Sequence, residues 1–369
     1  MLMNKQFALY SFIFIVFIHA LFSLYHIAST YTPDFSVFYS AAKGLIAQQN
    51  IYTLPMYTGL GYPPFTLLPF LPIAFVPYAL AQTLWTVVSF GLLLLCSYMS
   101  LKLTKKNVSF LEFALVSSLA FLAFPSKFTL GMGQINFLAL TLLLGSILLW
   151  QKKKYFYSGI ALGILLMVKP HFFFLLPVYV IAGQWVASMV GIGVVTMAAV
   201  VTGILFGWQN YMYYLHVTVP PLAVFSGRDI YYNQSFGSML ARLLPLRLAS
   251  ELTLWGSMLL VVAALWFIWW KRLRLLEAIM VFIPIFLMVE PLSWQHHYVF
   301  LLPVYVWAVW KTKKKYLLLI SYLFIAMNIR NPAALAMPLS TLLLSHVFLG
   351  NALLLGIVVS YVYKGKKVS

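Results

Sequence analysis

Asp34, in the stretch YTPDF, follows a long apolar run, and no acidic residue stands nearer to it in sequence than Glu112. A pair of carboxylates dividing acid and base work, or a DxD metal site, cannot be built locally around it. One carboxylate can still take one proton. A reaction that needs a base but no acid is the displacement of a phosphate, whose second pKa of about 6 lets it depart unprotonated. Transfer of a sugar from a lipid phosphate is such a case. The base deprotonates the attacking hydroxyl, and the oxocarbenium-like transition state is that of glycosidases with one carboxylate instead of two. Cations and imidazoles must then carry the charge that builds on the phosphate. Lys169 in front of Pro170 and His171, the tandem His296 and His297, Arg242 and Arg330 are of the right type for that task.

A second set suits a sugar or an acceptor. Gln134 and Asn136 open an apolar run, Asn233 and Gln234 lie in a loop, and Glu290, Trp294 and Tyr62 stand beside them or near prolines. Amides and carboxylates match sugar hydroxyls, and the aromatic rings can stack on a sugar or a prenyl chain. Structural roles compete with each of these. Asp34 can cap a helix, the amides can bond between helices, Lys169 can snorkel to the lipid surface, and Arg228, Asp229 and Arg242 can form ion pairs. No cofactor is expected: the sequence has no HExxH, no CxxC, no phosphate loop and no Ser-centred elbow. A metal is not expected either, because Glu290 and the two histidines are separated by six residues on irregular sequence. The single Cys96 excludes a disulfide within the chain.

These residues have to be positioned by helices in a membrane. The chain is 63% hydrophobic and 8% charged, with a mean hydropathy of +0.95, far beyond what a soluble core requires. The net charge of +18 does not point to nucleic acid. Most of the basic residues sit in short clusters between apolar runs, at Lys102–Lys106, Lys152–Lys154, Lys271–Arg274, Lys311–Lys315 and Lys364–Lys367, which is the positive-inside pattern. About twelve spans are expected, near 7–28, 79–101, 109–125, 134–150, 155–169, 171–184, 185–207, 249–270, 275–290, 298–310, 316–329 and 340–363. The first is taken as an uncleaved helix. With both termini cytoplasmic, every basic cluster falls inside, and Asp34, Lys127, Lys169, His171, Arg228, Asp229, Arg242, Glu290, His296, His297 and Arg330 collect on the opposite face. Charges gathered at membrane depth mark a pathway or a site. A single membrane domain over 1–369 has two long extracytoplasmic loops, 29–78 and 208–248. The first contains an interfacial helix after Asp34, from the spacing of Phe35, Phe38, Tyr39, Ala42, Leu45 and Ile46, and then a segment broken by prolines 63, 64, 69, 72 and 77.

Taken in order, DFSVFYSAAKGL with IY and YPPF, then MGQINFLALTLLLG, GIALGILLMVKPH, NQSFGSMLARLL and EPLSWQHHYVFLLP resemble the integral-membrane glycosyltransferases of family 87, which include mycobacterial phosphatidylinositol mannoside mannosyltransferases. The resemblance runs from about residue 30 to about 310. It implies a GT-C type fold, an extracytoplasmic site and an inverting hexosyltransferase without a required metal. The implied donor is a polyprenyl-phosphate sugar, usually mannose, and the acceptor a glycolipid or glycan. The family's first-loop aspartate maps to Asp34 as catalytic base. His296 or His297 with Lys169 and Arg242 or Arg330 would hold the donor phosphate, and the proline-rich segment would shape the prenyl groove. Other readings are a lipid-linked sugar flippase, a structural subunit, and a related enzyme moving arabinofuranose or glucose.

Overall fold

The computed structural model describes residues 2–223, 230–329 and 339–365. Among them the regular structure is helical, with one isolated extended bridge between Asn233 and Trp294.

Helix α1 (Leu2–Ser29) opens the chain. Its last carbonyls have no intrahelical donor, and the Gln82 amide reaches this turn, donating to Ala28 O at 3.1 Å and to Thr30 O at 2.5 Å. Pro33 sits at the first position of α2 (Pro33–Ile46), where a missing N–H costs nothing; this is the helix read from the apolar spacing after Asp34. α2 is buried through Phe35 and Phe38, the latter stacked on Phe70 at 4.7 Å. Phe70 belongs to the proline-rich segment, which forms two 3₁₀ turns, Pro64–Phe70 and Pro72–Phe75. This segment packs on protein: Thr66 Oγ1 donates to Met167 O at 2.8 Å, and Phe65 lies against Tyr211.

There follow α3 (Tyr78–Thr104), α4 (Phe110–Leu122), α5 (Phe124–Met132), α6 (Asn136–Gln151), α7 (Tyr155–Val168), α8 (Leu176–Ile181) and α9 (Trp185–Phe206). The second loop carries α10 (Gln209–Tyr213), a π-helical turn at Tyr214–Thr218, α11 (Val219–Ala223) and α12 (Phe236–Ala241). After α13 (Leu246–Trp270) and α14 (Leu275–Val289), a 3₁₀ stretch at Gln295–Leu301 leads into α15 (Leu302–Lys311), α16 (Lys315–Ala326), α17 (Leu339–Leu344) and α18 (His346–Gly365).

Among the described residues five helices, α1, α3, α9, α13 and α18, are long and apolar enough to cross a bilayer, and α4 with α5 makes a sixth if the bent pair is one span. Most of the other expected spans fall on apolar helices of 10–17 residues, short of the roughly 20 that a full crossing takes. The expected break between spans 155–169 and 171–184 is where α7 ends, because Pro170 cannot continue the helix. The expected span 109–125 is divided: α4 and α5 are inclined by 69°, because Pro125 has no N–H for Phe121 O and its ring crowds that turn.

Alternating helix directions sort the polar residues. α7 and α14 begin beside basic clusters and end at Lys169 and Glu290, whereas α6 and α15 run the other way. Lys153, Arg274 and Lys311 therefore surround one cavity with Leu103 and Thr104, and Arg272 with Arg274 lines another beside Trp150. Four basic loops meet at one end of the bundle, and the turns carrying Asp34, Gln134, Lys169 and Glu290 gather at the other. α7 is held to α9 by direct backbone approach. A Cβ on Gly159 would lie 2.7 Å from Ala187 O, and one on Gly163 would lie 2.8 Å from Gly191 O, the small-xxx-small packing that joins helices where lipid offers no hydrophobic drive.

Candidate active site

Asp34, the expected base, stands at the second position of α2. Thr32 is the N-cap residue, and its side chain makes no cap bond. The Asp34 carboxylate does not turn back on its own helix. Its Oδ2 accepts from Gln134 Nε2 at 2.5 Å, across 100 residues of sequence. Burial raises the Asp34 pKa above its ordinary value, and the Gln134 hydrogen bond and the positive charge of Lys169 pull it part of the way back.

Lys169 follows the last residue of α7 in a non-helical conformation, φ −137° and ψ 87°. Its side chain is 0% exposed, and Nζ has no hydrogen-bond partner among the described residues. The Phe300 ring lies 5.9 Å from it, and the carboxylates of Asp34 and Glu290 are within electrostatic reach. An ammonium taken out of water costs several kcal/mol unless it is paired, so the buried surroundings of Lys169 favour an anion.

Glu290, at the end of α14, bridges two imidazoles. Oε1 is 3.2 Å from His171 Nδ1, and Oε2 is 3.1 Å from His297 Nδ1. A carboxylate on one ring nitrogen fixes the tautomer and the orientation of the ring. The neighbouring His296 is turned differently. Its ring is 4.6 Å from that of His297 at 75°, and its buried Nδ1 has no partner among the described residues. The His296 backbone is pinned instead, its carbonyl accepting from Thr129 Oγ1 at 3.1 Å and from Asn136 Nδ2 at 2.9 Å. Trp294 lies nearly parallel to the His296 ring at 6.5 Å.

The remaining amides and Arg242 are engaged with backbone. Asn233 Nδ2 donates to Pro291 O at 2.9 Å, Gln234 Nε2 to Tyr231 O and Leu344 O at 2.6 and 2.7 Å, and the Arg242 guanidinium to Asn233 O and Ile230 O at 2.6 and 2.8 Å. With Gln234 N donating to Ser293 O and Gln295 N to Tyr232 O, these bonds fasten the second loop to the segment between Glu290 and His296. Arg330, Arg228 and Asp229 lie outside the described residues.

Tyr62 comes in from the first loop, its ring 5.5 Å from Phe38. Burial pushes its hydroxyl pKa up, and the nearby charges of Asp34 and Glu290 push the same way. Its carbonyl accepts from Tyr52 OH at 2.8 Å, and the Tyr52 ring stacks with Tyr213 and Tyr214 at 5.7 and 5.9 Å. A row of half-buried tyrosines thus joins the two long loops near Asp34. Sequence reasoning left His171 as one charge among many; its place two residues after Lys169, with a proline between, was the available signal. Tyr52 stood in the sequence only within the IY pair, and nothing there pointed to Tyr214. Among the described residues no group of three or more His, Cys, Asp or Glu side chains takes an arrangement that could hold a metal ion.

No solved structure matches the chain. A curated relative, the polyprenol-phosphate-mannose-dependent alpha-(1-2)-phosphatidylinositol pentamannoside mannosyltransferase of Mycobacterium tuberculosis, is 26% identical over 264 residues, which are 67% of this chain and 58% of the relative. The chain thus matches less than two thirds of that protein's length. Residues 60–291 match glycosyltransferase family 87, a segment that holds Tyr62, Gln134, Lys169, His171 and Glu290, with Asp34 just before it and the paired histidines just after. The match covers well over half of the sequence, and the chain belongs to glycosyltransferase family 87.

Proposed function

We propose that this membrane glycosyltransferase moves a hexose, mannose in the first instance, from a polyprenyl phosphate to a hydroxyl of a lipid or glycan acceptor on the extracytoplasmic face, with inversion at the anomeric carbon. The observation that carries the reading is Lys169, a fully buried ammonium without a hydrogen-bond partner, placed within reach of a lone aspartate. A donor phosphate supplies the missing anion.

In the reaction the acceptor oxygen attacks the anomeric carbon while Asp34 takes its proton. The bond from that carbon to the phosphate oxygen breaks, and its electron pair leaves with the polyprenyl phosphate. Lys169 and the open nitrogen of His296 stabilise the charge gathering there. Glu290 holds His297 and His171 in fixed orientation beside them. No step calls for a metal. The row from Tyr52 to Tyr62 offers ring faces and hydroxyls to an incoming glycan, and an apolar cavity of about 450 Å³ between α4, α5, α15 and α16 suits a lipid chain. The architecture belonging to this reading is a GT-C type fold of about twelve crossings, in which the short apolar helices span together with neighbours, and the lysine-rich end is cytoplasmic.

The test is transfer by purified protein in nanodiscs from labelled polyprenyl-phosphate mannose to a panel of envelope lipids, with wild type and Asp34→Asn side by side. Transfer that is lost in the variant while donor binding persists supports the reading. Full activity of Asp34→Asn would reject Asp34 as base, and absence of both transfer and donor binding in wild type would reject the donor.

A further inference from the structure

We propose that Gln134 is a positioning residue for Asp34: its amide holds one carboxylate oxygen of the base and leaves the other free for the acceptor's proton. The inference rests on the reading of Asp34 as base.

A carboxylate oxygen can only accept, so the amide nitrogen is the end of Gln134 that faces Asp34 Oδ2 at 2.5 Å. Gln134 is 7% exposed, and its Oε1 has no partner among the described residues. Among the described residues the side chain's polar partner is thus Asp34 itself. The turn that carries it has little freedom. Gly133 adopts φ +70°, and a Cβ there would meet Phe35 Cβ at 2.5 Å, so the turn rests on the backbone of the residue after Asp34. The Gly133 carbonyl is fixed by the Trp85 indole N–H at 2.9 Å, and Gln134 N closes the end of α5 on Thr129 O at 2.9 Å. Thr129 also donates to His296 O. One short helix therefore sets the base through Gln134 and the unpartnered imidazole through Thr129, and fixes the spacing between them.

Besides Gln134, the groups that bear on the ionisation of Asp34 are Lys169 and the Tyr62 hydroxyl, with Glu290 acting on both of these. The measurement is transfer kinetics as a function of pH for Gln134→Leu, Gln134→Glu and Trp85→Phe, with donor binding measured in parallel. Gln134→Leu is expected to lower kcat about 10–100-fold with donor KM within about twofold, the range for one hydrogen bond to a charged group. The acid limb of its kcat/KM profile moves to higher pH, because the bond that favoured ionised Asp34 is gone. Gln134→Glu preserves shape, puts two carboxyls on one proton, and moves the limb the same way. Trp85→Phe frees the turn while keeping the amide, and gives a smaller change in the same direction. Wild-type kcat and an unmoved limb in both Gln134 variants would overturn the proposal, as would a raised sugar KM with the limb in place. If Asp34→Asn were active, the base reading itself would fail; if Asp34→Asn were dead while Gln134→Leu behaved as wild type, only the positioning role would.

Discussion

The two ends of the helix bundle both carry charge, and they treat it in opposite ways. At the basic end Lys105 pairs with Glu112, which also closes a capping box with Ser109, and both side chains are about a quarter exposed, 26% and 27%. Arg274 with Glu277 forms a further pair at this end. Such pairs contribute about 0–1 kcal/mol each, and the abundance of lysine at this end serves orientation in the membrane. At the other end Lys169 is buried without a hydrogen-bond partner among the described residues while Glu290 faces two histidines. Charge that is cheap to keep solvated is paired at the one end, and charge that is costly to bury is left without such a partner at the other. On the proposed reading, the contrast separates charge that orients the protein from charge that serves transfer.

Substitutions can widen or erase that contrast. Asp34→Asn is expected to lower transfer by about 10²–10⁴-fold, the usual share of a general base, with donor binding retained in a filter or nanodisc binding assay. Lys169→Met should cost about 10²–10³-fold in transfer, as loss of a preorganised donor to developing charge does. The same change should raise the thermal midpoint of the donor-free protein, because an uncompensated buried charge has been removed; a lower midpoint would show that Lys169 is already paired within the resting fold. Glu290→Gln keeps the shape but loosens both imidazoles, and a fall of about 10–100-fold with a changed pH profile is expected. Lys105→Ala, the control from the basic end, should change transfer less than about twofold and stability by less than about 1 kcal/mol. Across pH, Asp34 acts ionised, and burial holds its pKa above the ordinary value. Wild-type kcat/KM should therefore fall as pH drops through a limb lying above about 4, the reference value for an exposed aspartate.

Much of this division was legible in sequence. The lysine clusters, the isolation of Asp34, the amphipathic run after it and the prolines that break the next segment all act locally, within one turn or one loop. The pairings that make the site do not. Asp34 meets Gln134 across 100 residues, and Glu290 gathers His171 from another helix end; side chains at such separations are brought together by packing alone. The bend between α4 and α5 was missed for a related reason. Apolar composition persists through Pro125, where the helix cannot run straight on. Asn233, Gln234 and Arg242 showed the same limit from the other side: their polarity was visible, but not that loop carbonyls would occupy it.

The glycine contact between α7 and α9 bears on how the chain enters a bilayer. α7 has 14 residues, about 21 Å at 1.5 Å per residue, which is shorter than a hydrocarbon core of about 30 Å, and it ends on a lysine. It is poorly suited to partition as an independent span. α9 has 22 residues and meets the length requirement, and the flat faces of Gly159 and Gly163 fit only against it. The sequence from Tyr155 to Phe206 is therefore expected to insert as a unit, the later helix retaining the earlier one and with it Lys169.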